Sequence, residues 1–90
     1  MDTVADTIHT NELQVSVIDL DKVLYQGVAK SISSVNDTGP FDILPLHSNF
    51  ISLIQKKVDI RDGEGHRKTF SIVKGVLICR KNTVHVYLGL

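Results

Sequence analysis

The stretch Leu13-Gln14-Val15-Ser16-Val17 decides the fold class of this chain. Apolar side chains occupy every second position, and the positions between them are polar. Successive side chains of a β-strand point to opposite faces, so this alternation predicts a strand with one buried face. Val84-His85-Val86-Tyr87-Leu88, near the other end of the chain, places Val84, Val86 and Leu88 at alternate positions. Two such segments favour a β-sheet protein over a helical one.

Between these two segments lie further short apolar runs that are separated by polar turns. Strands are predicted at residues 23–27, 29–35, 58–61, 70–72 and 76–79. The cluster Asp62-Gly63-Glu64-Gly65 indicates a hairpin turn, and turns are also expected at residues 19–21 and 80–82. Short strands separated by polar turns are typical of an all-β sandwich or barrel.

Residues 50–58 fit two patterns. Phe50, Leu53, Ile54 and Val58 match the i, i+3, i+4, i+8 spacing of one helical face. Ile51 and Leu53, on either side of Ser52, match a strand instead. The pattern alone leaves both interpretations open.

Composition excludes several classes of protein. Ten basic and ten acidic side chains cancel, which argues against nucleic-acid binding as the main task. No run approaches the roughly 20 apolar residues of a membrane span, and the acidic opening residues do not fit a signal peptide. We therefore expect a cytoplasmic protein with residues 1–12 as a flexible N-terminal arm. The single cysteine, Cys79, is expected to be buried.

Catalytic and metal-binding motifs are not visible in the sequence. The segment Gly27-Val28-Ala29-Lys30-Ser31 lacks the glycines that a phosphate-binding loop needs. None of the four histidines stands at zinc-site spacing from another histidine or from Cys79, and no nucleophile elbow occurs. We predict no catalytic residue, no metal site, no cofactor and no small-molecule substrate.

The segment Gly39-Pro40-Phe41-Asp42-Ile43-Leu44-Pro45-Leu46-His47-Ser48-Asn49-Phe50 is the most informative for function. Pro45 restricts its own backbone and that of Leu44, which predicts a shaped connection. His47 stands in it as one polar group among apolar neighbours. It could stabilise the turn through a local hydrogen bond, or it could belong to a protein interface. General-base catalysis ranks third, because no partner for it is visible.

From Leu13 to Leu88 the chain resembles the N-terminal β-sandwich domain of the epsilon subunit of F-type ATP synthases, called delta in mitochondria. The resemblance rests on an ordered motif formed by Gly39, Phe41, Ile43, Leu44, Pro45 and His47. Tyr25 and Gly27 precede this motif, and the segments Lys74-Gly75-Val76-Leu77 and Asn82-Thr83-Val84-His85-Val86 follow it. The resemblance implies a two-layer β-sandwich of about eight to ten short strands over residues 13–90.

The chain departs from the family pattern in a few places. Ser48-Asn49 stands where the family often has Ala-Pro, Lys56-Lys57 where it often has Pro-Gly, and Lys74 where it has a second glycine. The C-terminal helical hairpin of most members does not follow Leu90, so we expect either a naturally short form or a truncation. Because that hairpin is the part that binds ATP in some members, the resemblance implies no ATP site here.

The resemblance also implies a function and partners. The family's sandwich is a non-catalytic part of the rotor that couples rotation of the c-ring to the catalytic head. It contacts the gamma subunit and the c-ring without inserting into the membrane. By this resemblance the gamma side comprises Pro45, His47 and Ser48. The c-ring side is a loop comprising Asn36, Asp37, Thr38, Gly39, Pro40, Phe41 and Asp42.

Two other functions stay open. The chain could be a stand-alone β-sandwich module that binds another protein partner, or, with the least support, a small metal-assisted enzyme. The rotor interpretation implies a location at the cytoplasmic face of the inner (plasma) membrane, within a peripheral complex, for a subunit that is soluble when isolated.

Overall fold

The computed structural model describes residues 11–89. Most of the predicted N-terminal arm, residues 1–10, and Leu90 lie outside this range, so the arm is not tested. Seven strands cover the rest: β1 Leu13–Asp19, β2 Lys22–Ala29, β3 Ser31–Asn36, β4 Gly39–Ile43, β5 Phe50–Arg61, β6 Arg67–Arg80 and β7 Thr83–Leu88. The all-β prediction is confirmed.

All seven strands belong to one hydrogen-bonded sheet with the order β2-β1-β7-β6-β5-β3-β4. Every neighbouring pair is antiparallel except β1 and β7, which run parallel. β1 and β3 are not neighbours in the sheet, yet both supply side chains to the same buried cluster. The sheet therefore folds over on itself, and its two halves form the layers of a β-sandwich.

The core follows from the alternation in the sequence. Leu13, Val15 and Val17 of β1 are fully buried, as predicted from their spacing. The other buried apolar side chains are Ala29, Ile32, Ile43, Ile54, Val58, Ile60, Leu77, Cys79, Val84, Val86 and Leu88. The burial predicted for Cys79 is confirmed, and this burial raises the pKa of its thiol.

Fewer strands form than the eight to ten expected, because β5 and β6 are long. β5 runs through the ambiguous residues 50–58 as a strand, without a helix, and β6 joins the two short strands expected at residues 70–72 and 76–79. In the ladder between them Gln55 pairs with Lys74 and Lys56 pairs with Ile72, which leaves Val73 as an extra residue. Such a bulge bends a strand, so one strand can serve both layers.

The turns agree with the turn residues in the sequence. Lys81 and Asn82, between β6 and β7, both have positive φ angles, of 48° and 66°. A two-residue connection with two positive φ angles fits the right-handed twist of a hairpin. Within residues 11–89 no helix is long and apolar enough to span a membrane.

Candidate functional site

The predicted ring-facing segment is a β-hairpin tip rather than a loop. Asn36 ends β3, Asp37 and Thr38 form the turn, and β4 begins at Gly39. Oδ1 of Asn36 accepts hydrogen bonds from the backbone N–H of Thr38, at 2.9 Å, and from its hydroxyl, at 2.8 Å. Nδ2 of Asn36 donates to Oγ of Ser52 on β5, at 3.1 Å. These bonds fix the tip against the sheet.

Gly39 allows the chain to reverse direction at this tip. Its φ angle is 124°, which side chains other than glycine rarely allow. Pro40, Phe41 and Asp42 then lie in β4, where the sequence analysis had placed a loop. The alternation of this short strand is hidden by its proline and its aspartate. Oγ of Ser33 donates to Oδ1 of Asp42 at 2.6 Å, which ties this strand to β3.

The second group of predicted residues lies in the connection between β4 and β5, residues 44–49. The backbone N–H of His47 donates to the carbonyl of Leu44 at 3.2 Å, closing a turn around Pro45. The N–H of Leu46 donates to Oδ1 of Asn82 at 2.6 Å, which anchors this turn to the β6–β7 hairpin. The segment is therefore shaped, as its proline predicts.

His47 makes the local contact that a turn-stabilising role predicts. Its Nδ1 lies 2.8 Å from the carbonyl oxygen of Ser48. Its ring packs edge-on against Phe50, with centroids 5.7 Å apart, and Phe50 packs in the same way against Phe41 at 5.4 Å. This aromatic contact chain links the predicted gamma-side residue His47 to the predicted ring-side residue Phe41. An interface role for His47 stays a prediction.

Sequence reasoning missed a partly exposed apolar strip on the outer face of the sheet. It consists of Ile51 and Leu53 on β5, Val76 and Ile78 on β6, and Tyr87 on β7. The ladder pairs Ile51 with Ile78, Leu53 with Val76, and Val76 with Tyr87. Ile51 and Leu53 remain 70% and 71% exposed. The alternation around Ser52 was the available signal, because a strand there turns both side chains away from the core.

The outer apolar strip adjoins the hairpin tip. Asn36, Asp37 and Thr38 line one shallow depression of about 300 Å³ together with Ile51, Ser52 and Leu53. The predicted ring-side residues and the strip therefore form a continuous surface. An apolar patch beside hydrogen-bonding groups is typical of protein interfaces.

An ion pair with a buried carboxylate links β5 and β6. Asp59 on β5 is buried, and its carboxylate accepts hydrogen bonds from Nε and Nη2 of Arg67 and from the hydroxyl of Thr69, at 2.8–3.0 Å. The hydrogen bonds from Arg67 outweigh the effect of burial and hold the pKa of Asp59 below its ordinary value. All three residues come from the paired strands β5 and β6, which points to a structural role.

Within the described part of the chain, one group of metal-ligand side chains comes together: Asp62, Glu64 and His66 in the β5–β6 turn. Oδ1 of Asp62 accepts the backbone N–H groups of Glu64 and His66, each at 2.9 Å. Oδ2 of Asp62 lies 3.0 Å from Nδ1 of His66. Partial burial raises the pKa of Asp62, but these hydrogen bonds outweigh it and lower the pKa overall. The carboxylate thus holds the turn together.

Comparison with known proteins identifies the family. The model of the ATP synthase, Delta/Epsilon chain, beta-sandwich domain family matches residues 12–88. The ATP synthase epsilon chain of Leptospira borgpetersenii serovar Hardjo-bovis (strain JB197) is 35% identical over 77 residues, which cover 84% of this chain and 60% of that protein. The epsilon chain of Leptospira interrogans (serovar copenhageni) is 32% identical over the same length.

Solved structures share the fold. A chain in the mitochondrial ATP synthase of Euglena gracilis, in an assembly of OSCP, F1 and c-ring, matches 89% of this chain and 52% of its own length. Its TM-score is 0.82 at 12% identity. A chain in the central stalk and c-ring of the Tetrahymena thermophila mitochondrial ATP synthase matches 84% of this chain and 62% of its own, with a TM-score of 0.69 at 14% identity.

This chain spans about 60% of the length of the epsilon chains it matches. The match nevertheless includes every strand of the sandwich, from β1 to β7. The resemblance inferred from the motif around Pro45 and His47 is confirmed. The chain belongs to the ATP synthase delta/epsilon family through its β-sandwich domain.

Proposed function

We propose that residues 13–90 act as a non-catalytic central-stalk subunit of a proton-translocating F-type ATP synthase. In this role the domain couples rotation of the c-ring to the catalytic head by holding both the gamma subunit and the c-ring. The observation that carries the proposal is the continuity of the outer apolar strip with the hairpin tip. Family membership supports the identity of the partners.

The c-ring side of the proposed interface is the hairpin tip. Asp37 and Thr38 are exposed there, while Asn36 and Gly39 shape the turn. Pro40, Phe41 and Asp42 belong to the same side through β4. Polar groups at a fixed tip suit contact with polar loops of a ring, because the backbone needs little ordering on binding.

The gamma side of the proposed interface comprises Pro45, His47 and Ser48, and we extend it to the outer apolar strip. Ile51 lies three residues after Ser48 and begins the strip. Burial of the strip against gamma would supply the apolar area that a stable contact needs, with polar groups at its rim.

Torque transfer requires that the domain resist deformation between its two contacts. The closed core, the ion pair between Arg67 and the buried Asp59, and the Asn36–Ser52 hydrogen bond all restrain relative movement of the strands. Close-packed interiors have low compressibility and transmit strain.

The proposed location of the domain is the membrane-facing end of the stalk, within a peripheral complex and without insertion of this chain into the bilayer.

Binding to purified gamma subunit and to purified c-ring tests the proposal. We expect Leu53→Glu, in the strip, to weaken gamma binding strongly, and Asp37→Lys, at the tip, to weaken c-ring binding. Lys22→Glu, on the opposite edge strand β2, serves as the matched surface control. A folded wild-type domain that binds neither partner contradicts the rotor function and favours the stand-alone interaction module.

A further inference from the structure

The first half of β6 has an open edge. β6 pairs with β5 along its length, but its pairing with β7 begins only at Gly75. We call residues 67–74 the β6 edge. Along the β6 edge one side of the backbone lacks a neighbouring strand among the described residues. An edge of this kind can accept a further strand through main-chain hydrogen bonds.

The sheet's terminal strands are less able to accept one. β4 is five residues long and contains Pro40, which cannot donate a backbone hydrogen bond. On β2 the hydroxyl of Tyr25 donates to the carbonyl of Val28 at 3.1 Å, which already satisfies that acceptor. The β6 edge has no proline, and no side chain within residues 11–89 donates a hydrogen bond to its backbone carbonyls.

A groove runs beside the β6 edge. Its volume is about 540 Å³, and its lining combines the apolar side chains of Leu24, Phe70, Ile72 and Leu88 with polar groups that include one carboxylate, that of Asp19. Phe70 and Ile72 are half-buried against the core, while Thr69 and Ser71, which precede them in the alternation, are exposed. Val73 at the bulge is 88% exposed. An added strand that alternates apolar and polar side chains would therefore match the groove.

The charges on the β6 edge select the partner. Arg67 and Lys68 lie at one end and Lys74 at the other, with no acidic residue between them. Antiparallel pairing of two copies would bring Arg67 and Lys68 of one copy beside Lys74 of the other, and parallel pairing would align Lys68 with Lys68. Like charges across paired strands are destabilising, which disfavours a second copy.

We propose that the β6 edge binds an extended segment of another protein, with alternating apolar side chains and an acidic residue at each end. Lys68 and Lys74 are the charges that select it, since Arg67 is already bound to Asp59. Lys74 lines one surface depression with Leu53 and Asp37 of the proposed gamma and c-ring contacts, whereas Lys68 lies away from that depression. The Lys68 variant therefore gives the test that stands apart from theirs.

Two synthetic peptides serve as probes for binding to the 90-residue chain. One reads Glu-Thr-Val-Thr-Ile-Thr-Val-Glu with capped ends, and the other has lysine in place of both glutamates. NMR titration and amide hydrogen exchange measure binding residue by residue. We expect slower exchange at residues 67–74 with the acidic peptide, and binding of the lysine peptide that is about three- to tenfold weaker.

Matched charge reversals on the same strand complete the test. Lys74→Glu and Lys68→Glu should each reverse or abolish the preference for the acidic peptide, whereas Arg80→Glu at the far end of β6 should keep it. Because two lysine variants are measured, the test remains valid if one of them fails to fold. Unchanged exchange at residues 67–74 with millimolar acidic peptide overturns the proposal. Equal binding of both peptides, or concentration-dependent dimerisation through this edge, also overturns it.

Discussion

The guanidinium of Arg67 covers the carboxylate of Asp59, with Nη2 of Arg67 2.8 Å from Oδ2 of Asp59. The side chain of Asp59 is only 3% exposed, whereas that of Arg67 is 54% exposed. A buried carboxylate needs such partners, because burial without them would favour its neutral form. The pair therefore links the pH of the solution to the stability of the β5–β6 hairpin.

Replacing Asp59 should reduce stability at neutral pH and have less effect in acid. The Arg67 hydrogen bonds lower the pKa of Asp59 below 3.8 in the folded state. The stabilisation is therefore fully present above the unfolded-state pKa and is lost as pH falls through the folded-state pKa. We expect Asp59→Asn to lower the free energy of unfolding by about 1–3 kcal/mol at pH 7.

Urea unfolding of the wild type and Asp59→Asn at pH 7 and near pH 2 measures this difference. The difference should shrink toward the acid end. Asp21→Asn, at an exposed position in the β1–β2 turn, is the control. It should change the free energy of unfolding little at either pH. A loss for Asp59→Asn that stays the same at both pH values would contradict the assigned linkage.

Gly75→Ala should destabilise the sandwich through a clash. A Cβ atom at this position would lie 2.6 Å from Cδ2 of Leu88 and 2.7 Å from the carbonyl oxygen of Tyr87. Because the second of these atoms belongs to the backbone of β7, the strands must shift, at a cost of about 1–3 kcal/mol. Thermal unfolding measures the effect. Gly63→Ala is the control, since its Cβ would meet only the flexible side chain of Lys30. Equal melting temperatures for the two variants would refute the clash.

Two leucines on opposite faces of the sheet should respond differently to truncation. Leu77→Ala removes a fully buried side chain and should cost about 2–5 kcal/mol of unfolding free energy. Leu53→Ala removes a side chain of the outer apolar strip and should change stability by less than about 0.5 kcal/mol. Chemical denaturation compares them directly. Comparable losses at the two positions would mean that Leu53 has intramolecular contacts as extensive as those of Leu77.

His47→Ala should affect partner binding more than folding. The variant loses the contact with the carbonyl of Ser48 and the edge-on packing on Phe50, together worth about 0.5–1 kcal/mol of stability. If His47 lies in the gamma interface, the affinity for gamma falls by more than this loss of stability explains. Calorimetric binding together with thermal unfolding separates the two roles. Undiminished affinity with reduced stability would leave His47 only its turn-stabilising role.

Much of the fold follows from local sequence. Alternation placed Leu13, Val15 and Val17 in the core, and the glycine-rich cluster at residues 62–65 marked the β5–β6 turn. The same reasoning divided β6 into two strands, because the bulge at Val73 and the exposed Lys74 interrupt its alternation. Pairing with β5 along nearly its whole length, a non-local property, makes β6 one strand.

The candidate site was predicted only in part. The sequence motif around Pro45 and His47 identified the family, because a connection whose shape depends on proline can be recognised from local sequence. β4 was missed because Pro40 and Asp42 conceal a strand of five residues. The outer apolar strip needs the cross-strand pairing of Ile51 with Ile78 and of Leu53 with Val76, which no single segment specifies.

Photo-crosslinking in the assembled ATP synthase tests the central claim most directly. A photoreactive amino acid is placed at Asp37, on the exposed hairpin tip, and in a second protein at Ser48, on the exposed β4–β5 connection. The rotor function predicts a crosslink from position 37 to the c subunit and from position 48 to the gamma subunit. Folded proteins that enter no complex, or that crosslink to neither subunit at either position, would contradict it.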